Sequence, residues 1–209
     1  EVQDDTVSCE SWQGSCPVLS PVNRCSSPRC YTVWAEQESR EHSSSGGMFS
    51  IIARAILAKG GVVFGAVYSD DFSRVEFTYA STDEELQPIR GSKYVQSDVG
   101  HAYREVKRFL DQGTPVLFTG CPCQVAGLYT YLGKQYAELY TADIVCHGAP
   151  SPEVYRAYLA EKAAGRTLTK VDFREKAYWG WGTATSLFFS DGSQFRKDCF
   201  TDPYWKGFL

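Results

Sequence analysis

The sequence predicts an α/β fold: a mixed sheet flanked by helices, with an irregular cysteine-containing N-terminal arm. Three observations carry this. Strands alternate with helices from Val62 to Asp172, the pattern of a layered α/β sheet. The hydrophobic fraction is 43% and the aromatic fraction 14% over 209 residues, enough for a packed core. Composition breaks near Tyr31, before which cysteine, proline and serine replace periodic apolar residues.

Taken in order, "CYTVWAEQ" (30–37) opens like a short strand. "SSSGG" then leads into an apolar helix over 47–58, closed by Gly60-Gly61. "VVFGAVYS" is a buried strand, and "RVEFTYAS" alternates like an antiparallel or edge strand. "TDEELQPIRGSKYVQSD" is polar and reads as a loop. "GHAYREVKRFLDQG" is amphipathic, with Tyr103, Val106, Phe109 and Leu110 on one stripe. The strand "PVLFTG" runs into a turn and a helix over 124–132, followed by the strand "ELYTADIVC". Ser151-Pro152 starts the next helix as cap and first turn. "TLTKVDFR" is a strand, "TATSLFFSDGSQFRK" a hairpin turning at Asp191-Gly192, and "DPYWKGFL" the beginning of a helix.

Charge and hydropathy narrow the function. The formal net charge of −4 argues against a broad nucleic-acid surface, and no apolar run approaches the roughly 18 residues of a membrane span. The first residues show no signal peptide, so a cytoplasmic protein is expected. Eight cysteines stand at 9, 16, 25, 30, 121, 123, 146 and 199. A disulfide framework is unnecessary in a chain of this length, and cofactor ligation explains such a number as well.

Two strand ends pair cysteine with glycine: "FTGCPCQ" (118–124) and "DIVCHGAPS" (143–151). If the strands are parallel, both turns emerge at one sheet edge. Cys121 or Cys123 then faces Cys146 across a cleft, as thiolates are gathered at iron–sulfur clusters. The bland alternative makes Cys146 a small buried hydrophobe. A single residue between Cys121 and Cys123 does not match the two of redox-active disulfide motifs, and the spacings around His147 match no usual zinc pattern. "SSSGG" at a helix start and "RGSKYVQS", with Arg90, Lys93 and Tyr94, are two anion-friendly loops. Together they favour a dinucleotide more than either does alone.

Four ordered landmarks resemble one known family: "SSGG" (44–47), "GSKYVQS" (91–97), "GCPCQ" (120–124) and "CHGAPS" (146–151). From about Tyr31 onward the chain is similar to the beta subunits of coenzyme F420 hydrogenases and dehydrogenases, which are iron–sulfur flavoproteins. The resemblance implies FAD held by Ser44, Ser45, Gly46, Gly47, Gly91, Ser92, Lys93, Tyr94 and Gln96. It implies a [4Fe–4S] cluster at Cys123 and Cys146, with Cys121, standing where the family mostly has threonine, as a weaker third candidate. Further cluster cysteines would follow "DPYWKGFL", so the expected ligand set is incomplete and the chain is expected to be truncated at both ends. Residues 1–30 are expected to be an eroded ferredoxin-like remnant, because two of its four cluster positions fall on Thr6 and Trp12 beside Cys9 and Cys16. Residues 31–209 are expected to be the flavin-binding domain.

The expected function is electron transfer through FAD between a hydride carrier, such as reduced F420 or NAD(P)H, and an iron–sulfur partner protein or subunit. Self-association is compatible with the sequence. Two other classes stay open: a non-catalytic binding or assembly protein that keeps the fold, and a zinc-dependent hydrolase built on Cys123, Cys146 and His147.

Overall fold

The computed structural model describes residues 27–207, and the cysteines at 9, 16 and 25, with the expected ferredoxin-like remnant up to residue 26, lie outside them. Strands β1 (Val62–Tyr68), β2 (Val75–Ala80), β3 (Ser97–Asp98), β4 (Val116–Gly120) and β5 (Leu139–Asp143) form one mixed sheet in the order β3-β2-β1-β4-β5. Only β1 and β2 pair antiparallel there; β1–β4, β4–β5 and β2–β3 are parallel. Strands β6 (Leu168–Asp172), β7 (Ala184–Phe189) and β8 (Gln194–Asp198) make a second, antiparallel sheet.

The period of two in β1 and β4 builds two cores from adjacent residues. Val62, Phe64, Val116 and Phe118 face helices α3 (Ala102–Asp111) and α4 (Pro122–Leu132), meeting Val106, Leu110 and Leu128. Val63 and Leu117 point to the other face, against Ala53 and Ile56 of helix α2 (Met48–Leu57) and Leu86 and Ile89 of a 3-10 helix, Glu84–Ile89. Phe64, Val106 and Phe118 are each at most 1% exposed. Burying such side chains contributes about 1.5–3 kcal/mol each.

A third core joins the sheets. Tyr155 and Leu159 of α5 (Pro152–Ala163), Phe173, Leu187 of β7, and Tyr204 and Trp205 of α7 (Pro203–Lys206) pack together, with Val75 of β2 and Val95 included. Asp202 is fully buried there, yet satisfied: it accepts from Tyr158 Oη at 2.6 Å and from the Tyr204 amide at 3.1 Å. Short helices α1 (Gln37–Glu41) and α6 (Lys176–Trp179) complete the elements.

Three local expectations differ from the structure. Residues 30–36 form no strand, because among the described residues no neighbour offers a ladder and Tyr31, Val33 and Trp34 stay exposed. The polar stretch after Ala80 contains the 3-10 helix, held by burial of Leu86 and Ile89. Helix α4 begins at Pro122 rather than at 124, since proline at the first helical position lacks only an amide that would go unpaired.

Candidate functional site

The parallel strands β1, β4 and β5 end on one side of the first sheet, where α/β proteins place ligands. A cleft of about 460 Å³ opens there. Its floor is strand residues Ala66, Phe77 and Thr119 with the turn Gly120-Cys121, and its wall is the two glycine-containing loops, 43–47 and 90–93. The loops converge although far apart in sequence: the Ser92 amide donates to Ser44 Oγ at 2.7 Å.

Gly65 makes this approach possible. A Cβ there would stand 2.3 Å from Ile89 Cγ2 and 3.0 Å from Thr119 Oγ1. Its absence lets the 3-10 helix lie directly on β1 and deliver residues 90–93 over the strand ends. Gly47 serves the other loop, capping α2 at φ 85°, a conformation that glycine adopts without steric cost.

Lys93 is turned inward. Its ammonium donates to the carbonyls of Ile89 (3.1 Å), Arg90 (3.0 Å) and Gly91 (3.1 Å), closing the C-terminus of the 3-10 helix. Burial pulls its pKa down to about 7, against the opposing charge of Asp172. Arg90 pairs with Asp83 at 3.3 Å, while its buried Nε has no acceptor and its side chain lines the cleft.

A second cavity of about 810 Å³ lies on the far side of the same wall, toward the second sheet. Ser43, Ser44, Arg90, Gly91, Ser92 and Lys93 line both spaces. Lys170, Asp172, Arg174 and Lys176 come from β6 and the segment that follows it. Lys176 ties that segment to the serine loop, donating to Arg40 O at 2.5 Å and Ser45 O at 2.8 Å. These groups were not singled out in the sequence, and no local signal marks them, because Lys176 meets its partners across more than 130 positions.

The expected cofactor residues divide. Ser44, Ser45, Gly46, Gly47, Gly91, Ser92 and Lys93 line the strand-end cleft; Tyr94 and Gln96 do not. Tyr94 packs its ring on Phe173 and Trp205, with centroids 5.6 and 4.6 Å away. Gln96 is exposed, and its amide donates to Pro150 O at 3.0 Å, binding the "GSKYVQS" loop to the "CHGAPS" turn.

The cysteines divide as well. Cys121 sits half-buried as the N-cap of α4 and lines the cleft. Burial, first of all, and the neighbouring Cys146 and Cys123 push its pKa up to about 12. Cys123 is exposed in the first turn of α4, rather than ahead of the helix. Cys146 is exposed beyond the end of β5. Among the described residues, no group of three or more His, Cys, Asp and Glu side chains is placed to hold a metal ion. Three thiols without that convergence do not fit the four-thiolate set of a [4Fe–4S] cluster.

Gln124 fixes the turn. Its Oε1 accepts from the Cys121 amide at 2.9 Å, and its Nε2 donates to Ser97 Oγ at 2.8 Å. Gln124→Ala should therefore cost about 1–2 kcal/mol, in the range of a lost cap. Chemical denaturation measures this, and a loss under about 0.5 kcal/mol would mean that other groups hold the turn.

Fold and site define an α/β protein with a cofactor-sized cleft at its parallel strand ends and one thiol, that of Cys121, at the cleft floor. Two family models match in tandem: the N-terminal model of the coenzyme F420 hydrogenase/dehydrogenase beta subunit over residues 30–103, and its C-terminal model over residues 113–198. The chain belongs to that family. Among solved structures, the F420-reducing [NiFe] hydrogenase complex from Methanosarcina barkeri, in a xenon-derivatised form, contains a chain of similar fold. The TM-score is 0.53 at 16% identity, covering 79% of this chain and 58% of that one. The present chain thus spans little more than half of that relative's length. No curated protein sequence matches, and no helix among the described residues is long and apolar enough to cross a membrane.

Proposed function

We propose that the protein is a redox subunit that holds FAD in the strand-end cleft and passes electrons between a hydride carrier and an iron–sulfur partner. The observation that carries this reading is the convergence of "SSGG" and "GSK" on one cleft through the Ser92–Ser44 hydrogen bond. A volume of about 460 Å³ falls within the range of ligand pockets and suits a ring system. The floor is apolar, from Ala66, Val75 and Phe77, while the rim carries serine hydroxyls and the Arg90 side chain. A planar ring and an anionic tail need those two surfaces side by side.

When bound, FAD supplies the exchange between two-electron hydride transfer and one-electron steps. The chain's own residues bind and orient it. Ser44, Ser45 and Ser92 offer hydrogen bonds to phosphate or ring oxygens, and Gly46, Gly47 and Gly91 allow the backbone to approach. Lys93 holds the wall and adds positive charge. Phe77 stacks on Phe118 at 5.2 Å, which fixes the floor against which a ring would lie. No step is assigned to a cluster on Cys121, Cys123 and Cys146, whose arrangement does not supply its ligands. Reduced F420 and NAD(P)H are the carriers compatible with this chemistry.

Titrating the purified chain with FAD under anaerobic conditions tests the reading. Micromolar or tighter binding, with quenched flavin fluorescence and loss of binding on Ser92→Pro, is the expected result. Ser92→Pro removes the amide that joins the loops. An intact chain that takes up no flavin would leave the fold without this function.

A further inference from the structure

We propose that the cavity of about 810 Å³ beyond the cleft wall is a second ligand site, which takes the diphosphate group of a nucleotide. No flavin is needed for this, so the site stands or falls apart from the flavin reading. Arg174 and Lys176 both line the cavity and are half-buried, and among the described residues neither forms an ion pair. Both reach the wall that the cavity shares with the cleft. Arg174 donates to Tyr94 Oη at 3.2 Å, one residue beyond Lys93, and Lys176 donates to Ser45 O at 2.8 Å.

The two cations offer different things to an anion. Lys176 spends its ammonium on the Arg40 and Ser45 carbonyls, so it supplies charge more than hydrogen bonds. Arg174 makes one side-chain hydrogen bond and keeps most of its planar fork, the shape that meets phosphate oxygens in pairs. Burial first, and then the like charges of Arg174 and Arg40, pull the Lys176 pKa down. A bound anion relieves that repulsion. The acidic residues of the lining do not. Asp172 pairs with Lys170 at 3.0 Å and Glu175 with Arg196 at 2.6 Å, while Glu41 and Asp70 are exposed to water.

The rest of the lining suits a nucleoside. Tyr68, Phe72 and Phe188 are half-buried rings on the cavity surface, those of Tyr68 and Phe72 with centroids 5.7 Å apart. A base stacks on such surfaces. The volume lies in the range that encloses a ligand of nucleotide size, whereas an inorganic anion needs neither the rings nor the space. Such a diphosphate has two sources: the adenylate half of a dinucleotide whose other half lies in the cleft, or a separate nucleotide. Residues 43–44 and 90–93 line both spaces, so either source sits one loop away from the cleft.

Isothermal titration of the full, flavin-free chain with ADP tests the site, with inorganic pyrophosphate and adenosine as its separate parts. The expected result is micromolar binding of ADP, weaker binding of pyrophosphate and the weakest of adenosine. Arg174→Gln and Lys176→Gln should each weaken ADP by about tenfold or more, and Arg174→Lys by less, since it keeps the charge and loses the fork. Phe188→Leu leaves both cations in place, so it should weaken ADP while pyrophosphate binds as before. Titrations repeated on chain saturated with FMN or with FAD separate the sources. ADP binding blocked by FAD but not by FMN assigns the diphosphate to the dinucleotide's own tail; binding kept with both assigns it to a separate nucleotide. Three results would overturn the proposal: no binding of ADP or pyrophosphate at millimolar concentration, an ADP affinity unmoved by both glutamine substitutions, or displacement of ADP by FMN, which would put ADP in the cleft.

Discussion

Lys93→Glu should weaken FAD binding by about 100-fold or more, equivalent to roughly 3 kcal/mol. The ammonium donates to three carbonyl oxygens, those of Ile89, Arg90 and Gly91. A carboxylate in the same place donates nothing and faces three acceptors, so the loop that forms the cleft wall has to open. On the proposed reading, the charge offered to the anionic tail is reversed as well. Flavin fluorescence titration reads the dissociation constant, and Lys93→Arg should retain most of the affinity. Equal binding by Lys93→Glu would place the flavin elsewhere.

The same residue predicts opposing pH trends. Folding lowers the Lys93 pKa from 10.5 to about 7, so between those values the unfolded chain holds the proton that the folded chain has released. Stability therefore rises with pH across that window, as the cost of burying the charged form disappears. Affinity for an anionic ligand moves the other way, because the ammonium is lost as pH climbs through 7. Titrations at pH 6 and pH 9 should show weaker flavin binding at the higher value. A flat profile would separate Lys93 from the ligand.

Trp205→Ala should be the most destabilising single change, at about 3–5 kcal/mol. The indole is fully buried, donates from Nε1 to Thr185 Oγ1 at 2.9 Å, and meets the edges of Tyr94 at 4.6 Å and Phe173 at 5.7 Å. Deletion opens a cavity at the junction of the two sheets and removes the packing behind Tyr94, which lies in the cleft loop. Denaturant midpoints give the stability loss, and flavin affinity should fall in parallel. A loss under about 1 kcal/mol would mean that the surrounding rings collapse into the space.

Elements whose signals are local were legible in the sequence. Helix α5 is one, since Ser151 caps it by accepting from the Val154 amide at 3.3 Å and Pro152 fills its first position. Strands β1 and β2 are another case, carried by apolar runs and alternation. The 3-10 helix was hidden because only Leu86 and Ile89 are buried among acidic and polar neighbours, with Pro88 inside. "YTVW" misled in the opposite direction, since β-branched and aromatic residues make a strand only where an edge receives them. The serine–glycine and lysine loops are each legible in the sequence as anion-friendly turns. That Lys93 would serve its own 3-10 helix, and that Cys121 rather than Cys123 would line the cleft, depends on rotamers and helix phase that spacing does not encode.

The cleft wall is also a matter of timing. Sheet strands β1 to β5 pair within the first 143 residues, and their helices pack on them locally. The serine loop, by contrast, is tied by Lys176, and Tyr94 is held by Tyr204, whose hydroxyl donates to its carbonyl 110 positions earlier. Contacts of such separation form after the large loops between them close. A ribosome releasing this chain from its N-terminus thus exposes a paired sheet before the wall of its cleft is fastened. Completion of the cleft is consequently a late event in the life of the molecule, following the emergence of α7.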